Sequence, residues 1–247
     1  MPAQRSVPTS SPSLRERRRA AAVREILDAA EHHIALHGPA ALSLRAVARS
    51  LGMTVQALYH YFPNRDALVT DLVAKAYGDL SQALRAAVDA APEGPSPARL
   101  VAVAEAYRGW GVAHPERFQL LYGTPLRYYA APADGPTTQA VRQMGALFQR
   151  ELFDGFTPAQ LAAADVPPLS PPFRERLARL AANAEDGLPP AGLSLFLGAW
   201  GQLHGLVVLE VFGHTAFLED HGSEIFRSSV RMMVEDIHRR IPAGAPG

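Results

Sequence analysis

The residues of this chain whose types and spacing best suit a chemical task lie between positions 42 and 68. This segment reads LSLRAVARSLGMTVQALYHYFPNRDAL. Ser43, Thr54 and Asn64 each stand where a helix could begin, because their side-chain oxygens can accept a hydrogen bond from an unpaired backbone amide of a first helical turn. We therefore expect three helix starts in this short segment, the third at Arg65.

Apolar residues recur at helical spacing in the first two of these expected helices, so each helix has one apolar face. These residues are Leu44, Val47 and Leu51 in the first helix and Val55, Leu58 and Phe62 in the second. Gly52 separates the two helices. Two short helices joined by a tight turn that contains glycine form a helix-turn-helix.

The outward face of the second helix predicts the chemistry of this motif. It carries small side chains and side chains that form hydrogen bonds, and these suit a helix that lies in the major groove of DNA. The residues are Gln56, Ala57, Tyr59, His60 and Tyr61.

Residues 20 to 70 resemble the N-terminal DNA-binding domain of the TetR family of bacterial transcriptional regulators, in order and without gaps. The Leu-Tyr-x-Tyr-Phe ending makes the match more specific than a helix-turn-helix alone. The matching residues are Ile26, Leu27, Ala29, Ala30, Gly38, Leu42 to Arg45, Val47, Ala48, Leu51 to Thr54, Leu58 to Phe62 and Asn64 to Leu68.

The resemblance implies roles for ten residues of the motif. Arg45 would read bases from the first of the two helices, and Val55, Gln56, Ala57 and Tyr59 would lie near the floor of the groove. The residues expected to hold phosphates are Ser43, Thr54, His60, Tyr61 and Arg65. Because Val55-Gln56-Ala57 offers one polar base reader, specificity should depend on Arg45, Gln56 and methyl contacts.

Charge is distributed unevenly along the chain. The whole chain has a formal net charge of +0, with 24 basic and 24 acidic residues. Residues 1 to 65 contain nine arginines and four acids, a balance of +5, which leaves 15 basic and 20 acidic residues and −5 for the rest. This asymmetry is typical of a nucleic-acid-binding domain attached to an acidic one.

We predict four regions along the chain. Residues 1–13 are polar and rich in Pro and Ser, so we expect a disordered tail and no secretion signal. A helix-turn-helix domain over 14–65, an effector-binding and dimerisation domain over 66–241 and a disordered tail over 242–247 follow. The run Arg15 to Arg19 has two interpretations, a solvated helix start or an additional phosphate or minor-groove contact.

The rest of the chain has helical periodicity between clusters of Pro and Gly, and no alternating strand pattern or fixed repeat. The fold should therefore be all-α. Beyond the long helix Arg65 to Ala90, the expected helices are Ala98 to His114, Pro115 to Tyr122, Thr137 to Phe156, Phe173 to Ala182, Ala191 to Phe212 and Glu224 to Ile241.

The segment Ala191 to Phe212 is apolar nearly all round, so we expect a buried helix. A membrane span is not favoured, because Gln202, His204 and Glu210 interrupt the apolar run. Small residues along one side and apolar residues on the last helix predict a homodimer through 191–212 and 224–241, with packing inside one chain as the alternative. These residues are Gly198, Gly201 and Gly205, and Val230, Met233 and Ile237.

A second, weaker resemblance lies in the C-terminal half. His114 to Phe118, Tyr122-Gly123 and Trp200-x-x-x-His204-Gly205 with Glu210 are similar to the TetR-type C-terminal domain named for its Trp-His-Gly motif. This similarity implies an effector site, and aromatic residues with few polar ones suit an apolar ligand. The candidate ligand-binding residues are Trp110, Phe118, Tyr122, Arg127, Tyr128, Phe148, Trp200 and His204.

Each of these residues also has a simpler interpretation. The aromatic side chains could be core residues, and a histidine such as His204 on an apolar helix is more often a buried residue with a hydrogen-bond partner than a ligand contact. We expect no metal and no cofactor, because the other histidines show no paired spacing with carboxylates. The chain has no cysteine, which excludes disulfides and fits a cytoplasmic location.

The sequence favours a ligand-responsive repressor that binds double-stranded operator DNA. An activator remains an alternative, as does an all-α enzyme or adaptor that kept the fold. The enzyme is the weaker alternative, since the chain has no phosphate-binding glycine loop and no H-E-x-x-H or G-x-S-x-G motif.

Overall fold

The computed structural model describes residues 13–92, 97–123, 135–182 and 187–243. Within these ranges the chain forms α-helices, two short 3₁₀ helices and no strand, which confirms the all-α prediction. The helices are α1 Leu14–His37, α2 Leu44–Ser50, α3 Val55–Tyr59, α4 Arg65–Ala90, α5 Pro97–Ala113, α6 Pro115–Tyr122, α7 Pro136–Phe153, α8 Pro158–Ala162, α9 Pro171–Ala182, α10 Pro190–Val211 and α11 Gly222–Arg240. The 3₁₀ helices are Pro39–Ala41 and Ala216–His221.

The described chain divides into two compact units, and the division falls inside α4, between Val73 and Ala74. We call residues 13–73 the head and the described residues from Ala74 onward the body. The division predicted from the sequence, between residues 65 and 66, lies earlier, in the first turn of α4.

The three helix starts predicted in the head are confirmed. The side-chain oxygens of Ser43, Thr54 and Asn64 each accept a hydrogen bond from the backbone amide three residues further on, at 3.2, 3.1 and 2.8 Å. These caps satisfy amides that have no partner inside their own helix. They therefore define where α2, α3 and α4 begin.

The core of the head is formed by the apolar faces of its helices. α1 contributes Ile26, Ala30 and Ile34, and Val47 of α2 and Leu58 of α3 are fully buried. The turn between α2 and α3 requires glycine, because Gly52 has a φ of +64°, in the left-handed region that side chains with a Cβ disfavour. The apolar spacing and the glycine together fix the helix-turn-helix.

The body is organised around α5, which packs against α6, α7, α10 and α11. The predicted α5 stripe is confirmed, since all five of its residues are buried. They are Leu100, Val103, Ala104, Tyr107 and Gly111. Gly111 is a point of close approach, because a Cβ there would lie 2.9 Å from the Phe118 ring.

The predicted helix Thr137 to Phe156 was wrong at its C-terminal end. α7 stops at Phe153, and Gly155 follows with a φ of +85°, which no helix accommodates. The short α8 was not predicted at all. Thr157 and Gln160 form a capping box at its start, a signal that the sequence contained.

The expectation that α10 is buried was wrong for the single chain. Only Gly192, Ala199, Leu203 and Val207 are buried along its length. The predicted partner face on α11 was also wrong, because Val230, Met233 and Ile237 lie in the core of the body. The exposed apolar residues of these two helices and the segment between them are Leu197, Leu209, Phe212, Phe217, Ile225 and Met232.

Among the described residues, α10 is the one helix long and apolar enough to cross a membrane, and 22% of its most apolar window is buried. Two of the polar residues on α10 bind α5 inside the body. Glu210 accepts two hydrogen bonds from the guanidinium of Arg108, and His204 bonds to Tyr107. These contacts attach α10 to a helix of the protein itself.

Candidate DNA interface and ring cluster

The face of α3 that the sequence assigned to the DNA groove is open to solvent. Gln56, Tyr59 and His60 are exposed, and Ala57 is half-buried. Val55 points partly toward the core and is also half-buried. Because the apolar side of α3 holds Leu58 in the core, its polar side must face outward.

The residues assigned to phosphates differ in how far their side chains already form hydrogen bonds inside the head. The hydroxyls of Ser43 and Thr54 accept amide hydrogen bonds at helix starts, which leaves their O–H groups able to donate. Arg65 is partly engaged inside the head, since its Nε donates to the carbonyl of Leu42 at 2.9 Å. Arg45 is exposed on α2.

A contact that the sequence did not predict joins α1 to the end of α3. Nη1 of Arg19 donates to the carbonyl of His60 at 3.2 Å, and the Arg19 guanidinium carbon lies 5.4 Å from the centroid of the Tyr61 ring. Carbonyls at the end of a helix carry partial negative charge, so an arginine is favourable there. The arginine run of α1 is thus positioned next to two residues assigned to phosphates.

In the body, five aromatic rings pack around the ring of Tyr107. We call this set the ring cluster: Tyr107, Phe118, Tyr122, Phe148, Trp200 and His204. The Tyr107 ring centroid lies 5.5 Å from that of Trp200 and 6.2 Å from those of Tyr122 and His204. The Trp200 and His204 rings stack with 14° between their planes.

A hydrogen bond of 2.7 Å joins the Tyr107 hydroxyl to Nδ1 of His204. Burial lowers the pKa of His204 and raises the pKa of Tyr107, so the imidazole is neutral and the phenol is protonated near neutral pH. Either group can donate in these states, because the phenol oxygen also accepts and a neutral imidazole carries its single N–H proton on one of its two nitrogens. Burial also raises the pKa of Tyr122, so the ring cluster carries no charge.

The structure brings together five of the eight residues predicted for the effector site. Phe118, Tyr122, Phe148, Trp200 and His204 belong to the ring cluster. Trp110 stands apart, with its ring 5.4 Å from that of His114. Arg127 and Tyr128 lie outside the described residues.

Tyr107 was missed as a site residue. The sequence placed it on the buried stripe of α5, and nothing in its spacing marked a partner 97 positions away.

Two cavities in the body differ in character. A small apolar cavity of about 20 Å³ lies beside Phe148 and Trp200. An open cleft of about 920 Å³ lies where the end of α4 faces α7 and α8, with Arg85, Asp89 and Arg150 among its lining residues. The ring cluster is thus closely packed in this conformation, and a ligand among its rings would have to displace some of them.

In the described parts of the chain, no group of three or more histidines, aspartates and glutamates could hold a metal ion. The carboxylate of Glu151 is buried and accepts hydrogen bonds from two arginines. Burial acts to raise its pKa, but hydrogen bonds from Arg99 and Arg150 outweigh that effect and the pKa is lowered. Glu151 is therefore a charged member of a structural ion-pair network.

Comparison with known proteins agrees with this geometry. Residues 26–72 match the family model of bacterial regulatory proteins of the tetR family, and residues 100–233 match that of the tetracyclin repressor-like C-terminal domain. The helix-turn-helix and the helical body are those of a transcriptional regulator. The chain belongs to the TetR family.

Relatives cover most of the chain. It is 33% identical over 215 residues to the HTH-type transcriptional regulators Mb1846 of Mycobacterium bovis and Rv1816 of Mycobacterium tuberculosis, covering 85% of this chain and 89% of each of them. The crystal structure of the regulatory protein SCO4313 is similar over 90% of this chain and all of its own, with a TM-score of 0.70 and 30% identity. A TetR variant from Acinetobacter baumannii, solved in complex with minocycline, shares the fold over 88% of this chain and 97% of its own, at a TM-score of 0.52 and 15% identity.

Proposed function

We propose that the protein is a cytoplasmic repressor without catalytic activity, which binds a pseudo-palindromic operator and leaves it when a small apolar effector binds the body. The observation that carries the DNA-binding role is the exposed polar face of α3, with Gln56, Tyr59 and His60 in solvent. A capped helix fixed to a core through Leu58 presents these side chains rigidly. Such a helix fits the width of the major groove.

The first experiment tests base reading by Gln56. A bidentate contact from glutamine to adenine discriminates against a wrong base by about 1–3 kcal/mol. We expect Gln56→Ala to narrow the affinity difference between DNA from upstream of the protein's own gene and a scrambled duplex, by roughly 5- to 150-fold. The measurement is fluorescence anisotropy with both duplexes.

Gln82→Ala is the matched control, because Gln82 is an exposed glutamine in the body. It should leave both affinities unchanged. If Gln56→Ala weakens both duplexes equally, Gln56 does not read a base. If wild type binds neither duplex, DNA binding itself is wrong.

The phosphate role proposed for Arg65 needs a different design. Because its Nε supports the carbonyl of Leu42, Arg65→Ala removes an internal hydrogen bond as well as a charge. Arg65→Lys keeps the charge and removes the fork geometry. For a phosphate contact, Arg65→Ala should weaken matched and scrambled duplexes alike and lower the salt slope by about one unit, while Arg65→Lys keeps the slope. Equal slopes for all three proteins contradict that role.

A two-fold dimer through residues 191–212 and 224–241 would present two heads to the two half-sites of the operator. The exposed apolar residues of α10 and α11 support this part of the proposal. Leu197, Leu209, Ile225 and Met232 have 44–60% of their surface exposed in the single chain. Large exposed apolar patches mark surfaces that bind other chains.

The ring cluster is the proposed effector site. Its five carbon-rich rings, its neutral histidine and its small adjoining cavity favour an apolar molecule that carries one or two hydrogen-bonding groups. The minocycline complex of the Acinetobacter protein supports the idea that this fold can hold a small molecule. An effector that releases DNA must bind more tightly to the DNA-free conformation.

Intrinsic fluorescence tests the effector site. Trp200 stacks on His204, whereas Trp110 lies outside the ring cluster, so Trp110→Phe leaves one tryptophan as the reporter. Candidate ligands are those found by mass spectrometry in the purified protein. A ligand that changes Trp200 fluorescence should release operator DNA over the same concentration range. A fluorescence change without any loss of DNA affinity would mean that the site does not control the head.

A further inference from the structure

The first half of α1 is strongly basic. Arg15, Arg17, Arg18 and Arg19 lie within its first two turns, where Glu16 is the one acid. Cations are unfavourable near the N-terminal end of a helix, and like charges three or four residues apart repel each other. Both effects destabilise the first turns of α1.

This segment also contributes nothing buried to the head. Ile26 is the first buried residue of α1, so the 12 residues from Leu14 to Glu25 extend beyond the core over about 18 Å. Within the described ranges no ion pair joins Arg15, Arg17 or Arg18 to another residue. Neither core packing nor an internal ion pair accounts for Arg15, Arg17 and Arg18.

Three of the arginines lie on one face of α1, next to the end of α3. Arg15, Arg18 and Arg19 follow helical spacing, and with His60 and Tyr61 they line an open groove of about 560 Å³. Arg17 lies on the opposite side of the helix and does not line the groove. Arg19 fixes the position of this face through the carbonyl of His60.

We propose that Arg15 and Arg18 bind backbone phosphates of double-stranded DNA beside the base pairs that α3 reads, so that α1 extends the DNA interface of the head. Arg19 is a positioning residue that holds the extension against the end of α3. This inference rests on the proposed DNA-binding function and adds a surface to it. It follows from charge complementarity and from continuity with His60 and Tyr61, which are already assigned to phosphates.

The contact reads no sequence, so it can be measured without knowing the operator. Each phosphate contact contributes about 0.9 to the slope of log affinity against log salt on B-form DNA. Arg15→Ala with Arg18→Ala should therefore lower the slope by about 1.8 on a random-sequence duplex. Between about 50 and 200 mM salt, wild type should lose about twelvefold more affinity than the double variant.

Arg17→Ala is the matched control for each single variant, Arg15→Ala or Arg18→Ala, which should each lower the slope by about 0.9. It removes one arginine charge from the same part of α1, but on the face away from the groove. Alanine also favours helix, so circular dichroism should show that α1 persists in every variant. The expected slope for Arg17→Ala is close to that of wild type.

The outcomes separate this inference from the function on which it rests. If the double variant and Arg17→Ala have the same slope while wild type binds duplex, the extension does not contact phosphates and the repressor proposal stands. If wild type binds no duplex, both fail. If the double variant loses binding to vesicles of anionic lipid but not to duplex, the arginines serve a membrane surface and the inference is overturned.

Discussion

Gly201 offers a test in which the sign of the result separates a lone chain from a dimer. It lies on the exposed side of α10, and no atom would lie within 4 Å of a Cβ placed there. In a lone chain, leucine at this position should stabilise the helix by about 1 kcal/mol, because glycine is a poor residue for a helix interior. If a second copy of α10 packs there, the leucine side chain has no room.

The magnitude follows from the symmetry of the interface. Overpacking a close contact typically costs about 1–3 kcal/mol, and a two-fold interface contains the altered residue twice. The dimer should therefore lose about 2–6 kcal/mol, which corresponds to a rise in the dimer dissociation constant of about 30-fold to 10⁴-fold.

Sedimentation velocity over a concentration series measures that constant. Gly78→Leu is the matched control, because Gly78 is also exposed in the middle of a helix, and a Cβ placed there would also have open space around it. Gly78→Leu should raise the unfolding temperature and leave assembly unchanged. If Gly201→Leu gives the same dissociation constant as Gly78→Leu, α10 is not the interface, and a wild type that is monomeric at micromolar concentration refutes the dimer.

The other predictions concern the core of the body. Gly111→Ala should lower the free energy of unfolding in urea by about 1–2 kcal/mol, because its Cβ would lie 2.9 Å from the Phe118 ring. Gly109→Ala, with open space around its Cβ, should raise that free energy by up to about 1 kcal/mol. If both variants shift stability in the same direction, the close contact at Gly111 is wrong. Tyr107→Phe leaves Nδ1 of His204 without its hydrogen-bond partner and should lower the free energy of unfolding by about 1–3 kcal/mol. Because burial lowers the pKa of His204, the unfolded chain takes up more protons, so stability should fall as pH drops from about 6.5 toward that lowered pKa. His204→Gln should flatten this part of the pH profile, and an unchanged profile would show that another group titrates.

Features that depend on neighbouring residues could be predicted from the sequence. A capping side chain and the amide it satisfies lie three residues apart, so Ser43, Thr54 and Asn64 were recognisable in isolation. The stripe of α5 follows from helical spacing for the same reason. The capping box of α8 was equally local, and it was overlooked because a five-residue helix shows no periodicity.

Features that depend on distant parts of the chain were not predictable in this way. Arg19 meets His60 across 41 positions, and Tyr107 meets His204 across 97. Composition also says how apolar a helix is but not which neighbour covers it. For that reason α10 was expected in the core, while most of its residues are only partly buried in the single chain.

The open apolar side of α10 has a consequence for how the protein is made. A newly synthesised chain exposes Leu197 and Leu209 until another surface covers them, and such patches promote aggregation. If pairing supplies that cover, resistance to heat and to proteases depends on how much of the protein is present, by mass action. At low concentration, unpaired chains would then be degraded, whereas at high concentration paired chains would persist. The amount of regulator in the cell would therefore rise steeply above a threshold rate of synthesis.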